Sequence, residues 1–314
     1  MHRRVRRANS HASLPQRIYT GGVASIFERP LRIAAIRFLN PAPLMWDFEH
    51  PPLNAELSTR YRIDWMLPSE CADRLASGSA DIGLAPIAAL ATNPSLRILP
   101  GCTIASKDYV RSLLLVRRAA QPLKEIRTVA ADTASRTTIA YARILFQKWG
   151  NAQAAFVPMA ANLDAMLERA DAGIVIGDPA LLALEERANR NERADEALVY
   201  HDIAHEWRTL TGLPFVSAVW AASPAAGGSL DAVAQDMIRS RDRGLANIDV
   251  LAEEWSRKLP ISEQTVHAYL GANIHYVLDQ ECVEGMRGFF RMAAEAGVLP
   301  RYEFADPNGS AQRR

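Results

Sequence analysis

Apolar and polar positions along this chain fall into two alternating rhythms, short apolar runs and amphipathic stretches. From Leu31, "LRIAAIRF" and "YRIDWML" read as strands, and "SECADRLASG" as a short helix closed by Gly78. "ADIGLAPI" is apolar almost throughout, as expected of a strand covered on both faces. "VRSLLLVRR" (residues 110–118) is a further strand, after which the pattern starts afresh. "RTVAAD", "AAFVPM" and "AGIVIGD" alternate with helices beginning near Ser135, Asn162 and Pro179, and "LPFVSAVWAAS" (residues 213–223) is the next long apolar run. Beyond it "LDAVAQDMIRSRDRGLANIDVLAEEW", "ISEQTVHAYLGAN" and "LDQECVEGMRGFFRMAAEAG" carry helical periodicity.

Two strand–helix units with a helical tail predict an α/β fold in which one lobe is interrupted by another. The expected division is a basic extension over 1–30, a discontinuous first lobe of 31–115 plus 217–314, and a second lobe of 116–216. "VRSLLLVRR" and "PFVSAVWAA" would be the connecting strands. A chain that crosses twice gives hinged lobes with a cleft between them, a common place for ligands.

Composition narrows the function more by exclusion than by assertion. The chain has 314 residues, 49% hydrophobic and 23% charged, with a net charge of +1, so no overall field favours nucleic acid or an anionic membrane. Any preference for anions must come from a local site. Cys71, Cys102 and Cys282 are widely spaced and read as reduced thiols. No run of ~18 apolar residues is present, so no membrane span is expected. The Arg-rich start, "MHRRVRRANSHASLPQR", lacks the apolar segment of a secretory signal, and the expected location is cytoplasmic.

Candidate chemistry begins with "DTASRTT" (residues 132–138), which follows an apolar run and opens a helix. Free N–H groups and the helix dipole suit a carboxylate or phosphate there. Ser135, Thr137 and Thr138 add hydroxyl donors and Arg136 a charge, although a simple N-cap needs just one of these groups. Asn40 ends the first strand before a Pro, as a cleft residue or a turn former. Ser112 is a lone hydroxyl in an apolar strand, facing either the cleft or a backbone carbonyl. In "IGDPAL" Asp178 is most simply an N-cap, and in "TGLPF" Thr211 could line the cleft. His201 and His205 stand four apart without a third ligand, so no metal is expected. Walker, G-x-S-x-G and G-x-G-x-x-G patterns are absent.

Taken in order, "FLNPAPLMW", "CADRLASGSADIGLAPI", "VRSLLLVRR", "DTASRTT", "ADAGIVIGDPAL" and "EWRTLTGLPFVSAVW" resemble the MqnA-type chorismate dehydratases of the futalosine route to menaquinone. The resemblance implies a two-lobed, periplasmic-binding-protein-like (type II) fold, a small dicarboxylate substrate (chorismate), no cofactor, and loss of water to give 3-[(1-carboxyvinyl)oxy]benzoate. It places the catalytic contacts on Asn40 and Ser112, and the hydroxyl-rich substrate-binding turn on Ser135, Arg136, Thr137 and Thr138; apart from the resemblance, Asp178 and Thr211 are expected as further substrate contacts. The chain departs from the family at "KDYV" (residues 107–110), where Gly-Pro-Val is frequent, and Tyr109 and His205 are unexpected there. Two other readings share the fold: the sister lyase that forms 1,4-dihydroxy-6-naphthoate, and a solute-binding or sensing module without turnover.

Overall fold

The computed structural model describes residues 29–187 and 197–309. Within them eleven strands form two sheets. The first contains β1 (Leu31–Ile36), β2 (Tyr61–Met66), β3 (Ile82–Pro86) and β4 (Arg97–Ser106). The second contains β5 (Leu113–Arg118), β6 (Thr128–Asp132), β7 (Ala155–Met159), β8 (Ala172–Ile176) and β9 (Leu198–Asp202). β10 (Phe215–Ala222) and β11 (His275–Val277) return to the first sheet, giving the orders β11-β4-β10-β3-β1-β2 and β7-β6-β8-β5-β9.

Both sheets follow one plan. β1 runs parallel to β2 and β3, and β6 runs parallel to β7 and β8, each through helical crossovers. An antiparallel strand then joins each parallel set: β10 beside β3, and β5 beside β8. β3 and β8 are buried at every position, which explains why their sequences show no polar alternation.

The connecting strands expected from the pattern do not connect the sheets. β5 lies wholly in the second sheet, between β8 and β9, and β10 wholly in the first, between β3 and β4. The crossings are made instead by residues 107–112 and by the helix Ile203–Thr211 with the turn after it. An unbroken apolar run reports burial on both faces and carries no information about which sheet does the burying. β4 and β9 escaped the hydrophobic pattern. Pro100 and Gly101 interrupt β4, and β9 reads "LVYHD", with two polar residues at its end.

The two crossings are fastened to each other by one side chain. The buried Asp202 carboxylate accepts the N–H groups of Val110 (3.0 Å) and Arg111 (2.6 Å) from the first crossing, and those of Ala204 (3.1 Å) and His205 (3.2 Å) from the second. Arg111 takes a left-handed backbone, φ +64°, at this point. Behind the crossings the core is continuous between lobes. Tyr141, from the helix Thr137–Lys148, meets Phe215 of β10 with ring centroids 4.0 Å apart and Phe289 of the helix Gln280–Glu295 at 4.2 Å.

Candidate active site

The site grows from the end of β6. The Asp132 carboxylate accepts the N–H groups of Ala134 (2.9 Å) and Ile176 (3.2 Å), and its carbonyl accepts that of Ser135 (3.0 Å). This folds the chain back on itself before the helix Thr137–Lys148 begins. Ser135 Oγ accepts from the Thr138 N–H at 3.2 Å, so it does act as a cap, and its own hydrogen stays available to donate. Among the described residues no protein group accepts from the N–H groups of Arg136 and Thr137. Thr137 Oγ1 accepts the Ala88 N–H from the first lobe at 3.2 Å. The Arg136 guanidinium is engaged by Asp73 at 2.6 Å, a half-exposed ion pair that also spans the lobes.

The facing wall is the end of β1. Asn40 is partly buried there, and its Oδ1 is shielded from solvent with no hydrogen-bond partner among the described residues. An amide oxygen left so is costly unless a ligand completes it. The Asn40 carbonyl accepts the Tyr276 hydroxyl at 2.9 Å, which fixes the backbone from behind. Beside it, Gly177 (φ +64°) presses on Phe38 so closely that an added Cβ would sit 2.5 Å from the ring. Asp178, opening the helix Asp178–Arg187, accepts the Leu39 N–H at 2.9 Å across the lobes. Burial pushes its carboxyl up to about 6, and the Leu39 N–H offsets part of that rise.

One cleft is bordered by Phe38 and Asn40 on one side and by Ser135 to Thr138 and Gly177 on the other. Its free volume is about 30 Å³, the share of one water molecule, against roughly 300 Å³ or more for a typical small-molecule site. The lobes are closed on each other. Larger hollows lie on the surface, such as one of about 580 Å³ bordered by Arg287, Arg291 and Tyr302, but they gather none of these groups.

Three of the residues singled out from sequence lie elsewhere. Ser112 is 1% exposed and accepts the Tyr269 hydroxyl at 2.7 Å, so it faces neither the open cleft nor a backbone carbonyl. It adjoins the site through Leu113, on the cleft wall, and through its carbonyl, which accepts the Gly177 N–H at 2.8 Å. Thr211 does not line the cleft. Its hydroxyl donates to the Trp207 carbonyl (2.7 Å) and accepts from Leu213 N–H (3.2 Å), finishing a helix whose next residue, Gly212, is left-handed. Tyr109 stacks on His205 at 3.9 Å, at the crossings and not on the cleft wall. His201 and His205 turn to different carboxylates, Glu206 at 2.8 Å and Asp108 at 2.6 Å, and so form no pair.

Sequence reasoning missed Ser217, Tyr269, Tyr276 and Asp132. Ser217 sits where the β10–β4 register slips between Val216 and Ala218, a bulge that brings the residue onto the cleft wall. A single hydroxyl inside "PFVSAVWAA" was the available signal. A trio of His275, Asp279 and Cys282 lies within metal-binding reach, but Lys107 already holds the Asp279 carboxylate at 2.8 Å, and burial pushes the Cys282 thiol up.

A family model described as menaquinone biosynthesis matches residues 31–295. The chain belongs to this menaquinone biosynthesis family. One family relative, the chorismate dehydratase of Thermus thermophilus, is 28% identical over 282 residues, covering 87% of this chain and 97% of its own length. The family fold also resembles solved structures. The CA3427 gene product of Candida albicans, described as having the generic periplasmic binding protein fold, aligns with a TM-score of 0.60 at 16% identity, over 87% of this chain and 92% of that one. The alkanesulfonate-binding protein SsuA of Xanthomonas axonopodis pv. citri, bound to MOPS, aligns at 0.62 and 17% identity, over 86% and 94%. The periplasmic-binding-protein-like, two-lobed α/β fold is thereby shown. The cytoplasmic location expected from the N-terminus is contradicted by solved structures of this fold that are periplasmic solute-binding proteins, such as the aliphatic sulphonate binding protein of Escherichia coli. That expectation rested on the Arg-rich start, residues 1–17, which lies outside the described residues.

Proposed function

We propose that the chain is a chorismate dehydratase, a carbon–oxygen lyase that converts chorismate to 3-[(1-carboxyvinyl)oxy]benzoate and water. The observation that carries this reading is the convergence, in one closed cleft of a chain similar to the Thermus thermophilus enzyme over most of both lengths, of hydroxyl donors and an unpartnered Asn40 amide oxygen.

Chorismate is a dianion, and bringing two carboxylates out of water requires several donors. The turn at Ser135 to Thr138 offers hydroxyls and the free amides of Arg136 and Thr137, with the positive end of a twelve-residue helix behind them. The closed lobes exclude water, which strengthens each of these contacts. The proposed role of Arg136 is a secondary one, since Asp73 already holds its guanidinium.

The reaction breaks the C–H bond of the ring carbon bearing the ether. Its electron pair completes the aromatic ring, and the neighbouring hydroxyl departs and leaves as water with a proton. Aromatisation makes the sum strongly downhill, so the protein's task is to orient the leaving group and a proton acceptor. In this reading a carboxylate of the substrate itself takes the proton. Asn40 positions the reacting groups from the cleft wall, Ser112 supports that wall from behind through Leu113 and the Gly177 N–H, and Asp178 holds the Leu39–Asn40 backbone in place.

Purified protein incubated with chorismate should accumulate the enolpyruvyl-benzoate product, followed by chromatography, and Asn40→Ala should lower kcat/KM by roughly 100-fold or more. Binding of chorismate without turnover would leave a sensing module, and a wild-type chain inert towards chorismate would overturn the proposal.

A further inference from the structure

The two residues given the positioning roles are 72 apart in sequence, yet both are held by hydroxyls from one short stretch near the C-terminal end. Tyr269 donates to Ser112 Oγ at 2.7 Å, and Tyr276 donates to the Asn40 carbonyl at 2.9 Å. Both tyrosines are buried, 1% and 2% exposed. A phenol removed from water needs a hydrogen-bond partner. Here each hydroxyl finds it far away in the chain, Tyr269 over 157 residues and Tyr276 over 236.

The backbone between them is irregular. Residues Tyr269–Asn273 form a π-helical turn, in which the Ile274 N–H reaches the Tyr269 carbonyl at 3.2 Å, and β11 follows at once. Such widened turns are uncommon and cluster at functional sites, because an extra residue re-aims the side chains of a helix. β11, which pairs antiparallel with β4, anchors the far end of this turn, and the second tyrosine belongs to β11 itself.

From this arrangement we infer that Tyr269 and Tyr276 are positioning residues for catalysis, Tyr269 orienting the Ser112 hydroxyl and Tyr276 the Asn40 backbone. The inference rests on the chorismate dehydratase reading. With Tyr269 as donor, Ser112 keeps its own hydrogen to direct elsewhere, so its hydroxyl is given a direction as well as a place. With its carbonyl pinned, Asn40 cannot rotate its amide away from the cleft by a turn of the backbone. The π-turn is the element that puts both phenols at these distances.

The test is a kinetic split on single-atom variants. Tyr269→Phe and Tyr276→Phe should each lower kcat about 10-fold while changing KM less than about 2-fold, since each loses one hydrogen bond that matters for orientation and none that touches substrate. Tyr269→Phe combined with Ser112→Ala should be no slower than Ser112→Ala alone, because the two act as one unit. Tyr61→Phe is the structural control: its buried hydroxyl bonds Asp236 at 2.6 Å at the far edge of the first sheet, and it should lower Tm and leave kcat unchanged. Loss of Tm alone in both tyrosine variants, or losses that add fully to that of Ser112→Ala, would overturn the inference while the dehydratase reading stood. A wild-type chain without turnover would overturn both.

Discussion

At Asp178 two demands on a single carboxylate oppose each other. It must accept the Leu39 N–H across the lobes, and it must do so away from bulk water. Its carboxyl is pushed from 3.8 up to about 6, so the ionised form is the one that folding disfavours. Below pH ~4 the group is protonated in both folded and unfolded chains and no penalty exists. The penalty grows as pH rises between those two values and is complete above about 6, at roughly 2 kcal/mol once partial solvent contact is allowed for. Asp178→Asn keeps an acceptor for Leu39 and removes the charge. Its Tm should exceed that of the wild type at pH 8 and match it at pH 4, and an equal offset at both pH values would contradict this account. Asn40 and Asp178 stood out in sequence because strand ends carry ligand contacts in α/β folds, yet Asn40 borders the cleft whereas Asp178, expected as a substrate contact, is not among the residues bordering it and accepts the Leu39 N–H. Ser112 was found as a hydroxyl out of place, but its partner Tyr269 is so distant in the chain that no local pattern points to it.

The helix Thr137–Lys148 is the element on which the proposed substrate contacts depend, and its opening was the most readable feature of the chain. "DTASRTT" carries both the cap and the donors, and Asp132 shapes the turn that presents them. The Thr137 hydroxyl serves two ends, accepting from Ala88 while keeping a hydrogen for a ligand. Thr137→Val should therefore weaken binding of the enolpyruvyl-benzoate product about 10-fold by calorimetry and lower stability by ~1 kcal/mol. Unchanged affinity would remove the turn from the site. Elements that failed to show in sequence did so for stated reasons: β4 through its Pro-Gly interruption, and the π-turn because one inserted residue leaves hydrophobic periodicity nearly intact. Thr211 was misplaced because a hydroxyl beside Gly reads alike as a cleft residue and as a helix end.

Across the whole molecule, a cleft of about 30 Å³ means that substrate enters and product leaves only when the lobes part. The contact that permits full closure is Gly177 against Phe38. Gly177→Ala would add a methyl group 2.5 Å from that ring, in a left-handed conformation that alanine adopts poorly. Its ligand affinity should fall at least ~10-fold, and small-angle scattering should show a radius of gyration that no longer contracts when product is added. Contraction equal to that of the wild type would mean that closure does not pass through this contact. The two-lobed plan itself was visible in the restart of the strand–helix rhythm, whereas the crossing points were not, since neither apolar run at the boundary declares its sheet.

The buried Asp202 carboxylate, with an amide from each of Val110, Arg111, Ala204 and His205, makes the two crossings a single pivot. Crossings tied together there would turn as one, so that when the lobes part Asn40 and the Ser135 turn would separate about this point and meet again in the same facing alignment.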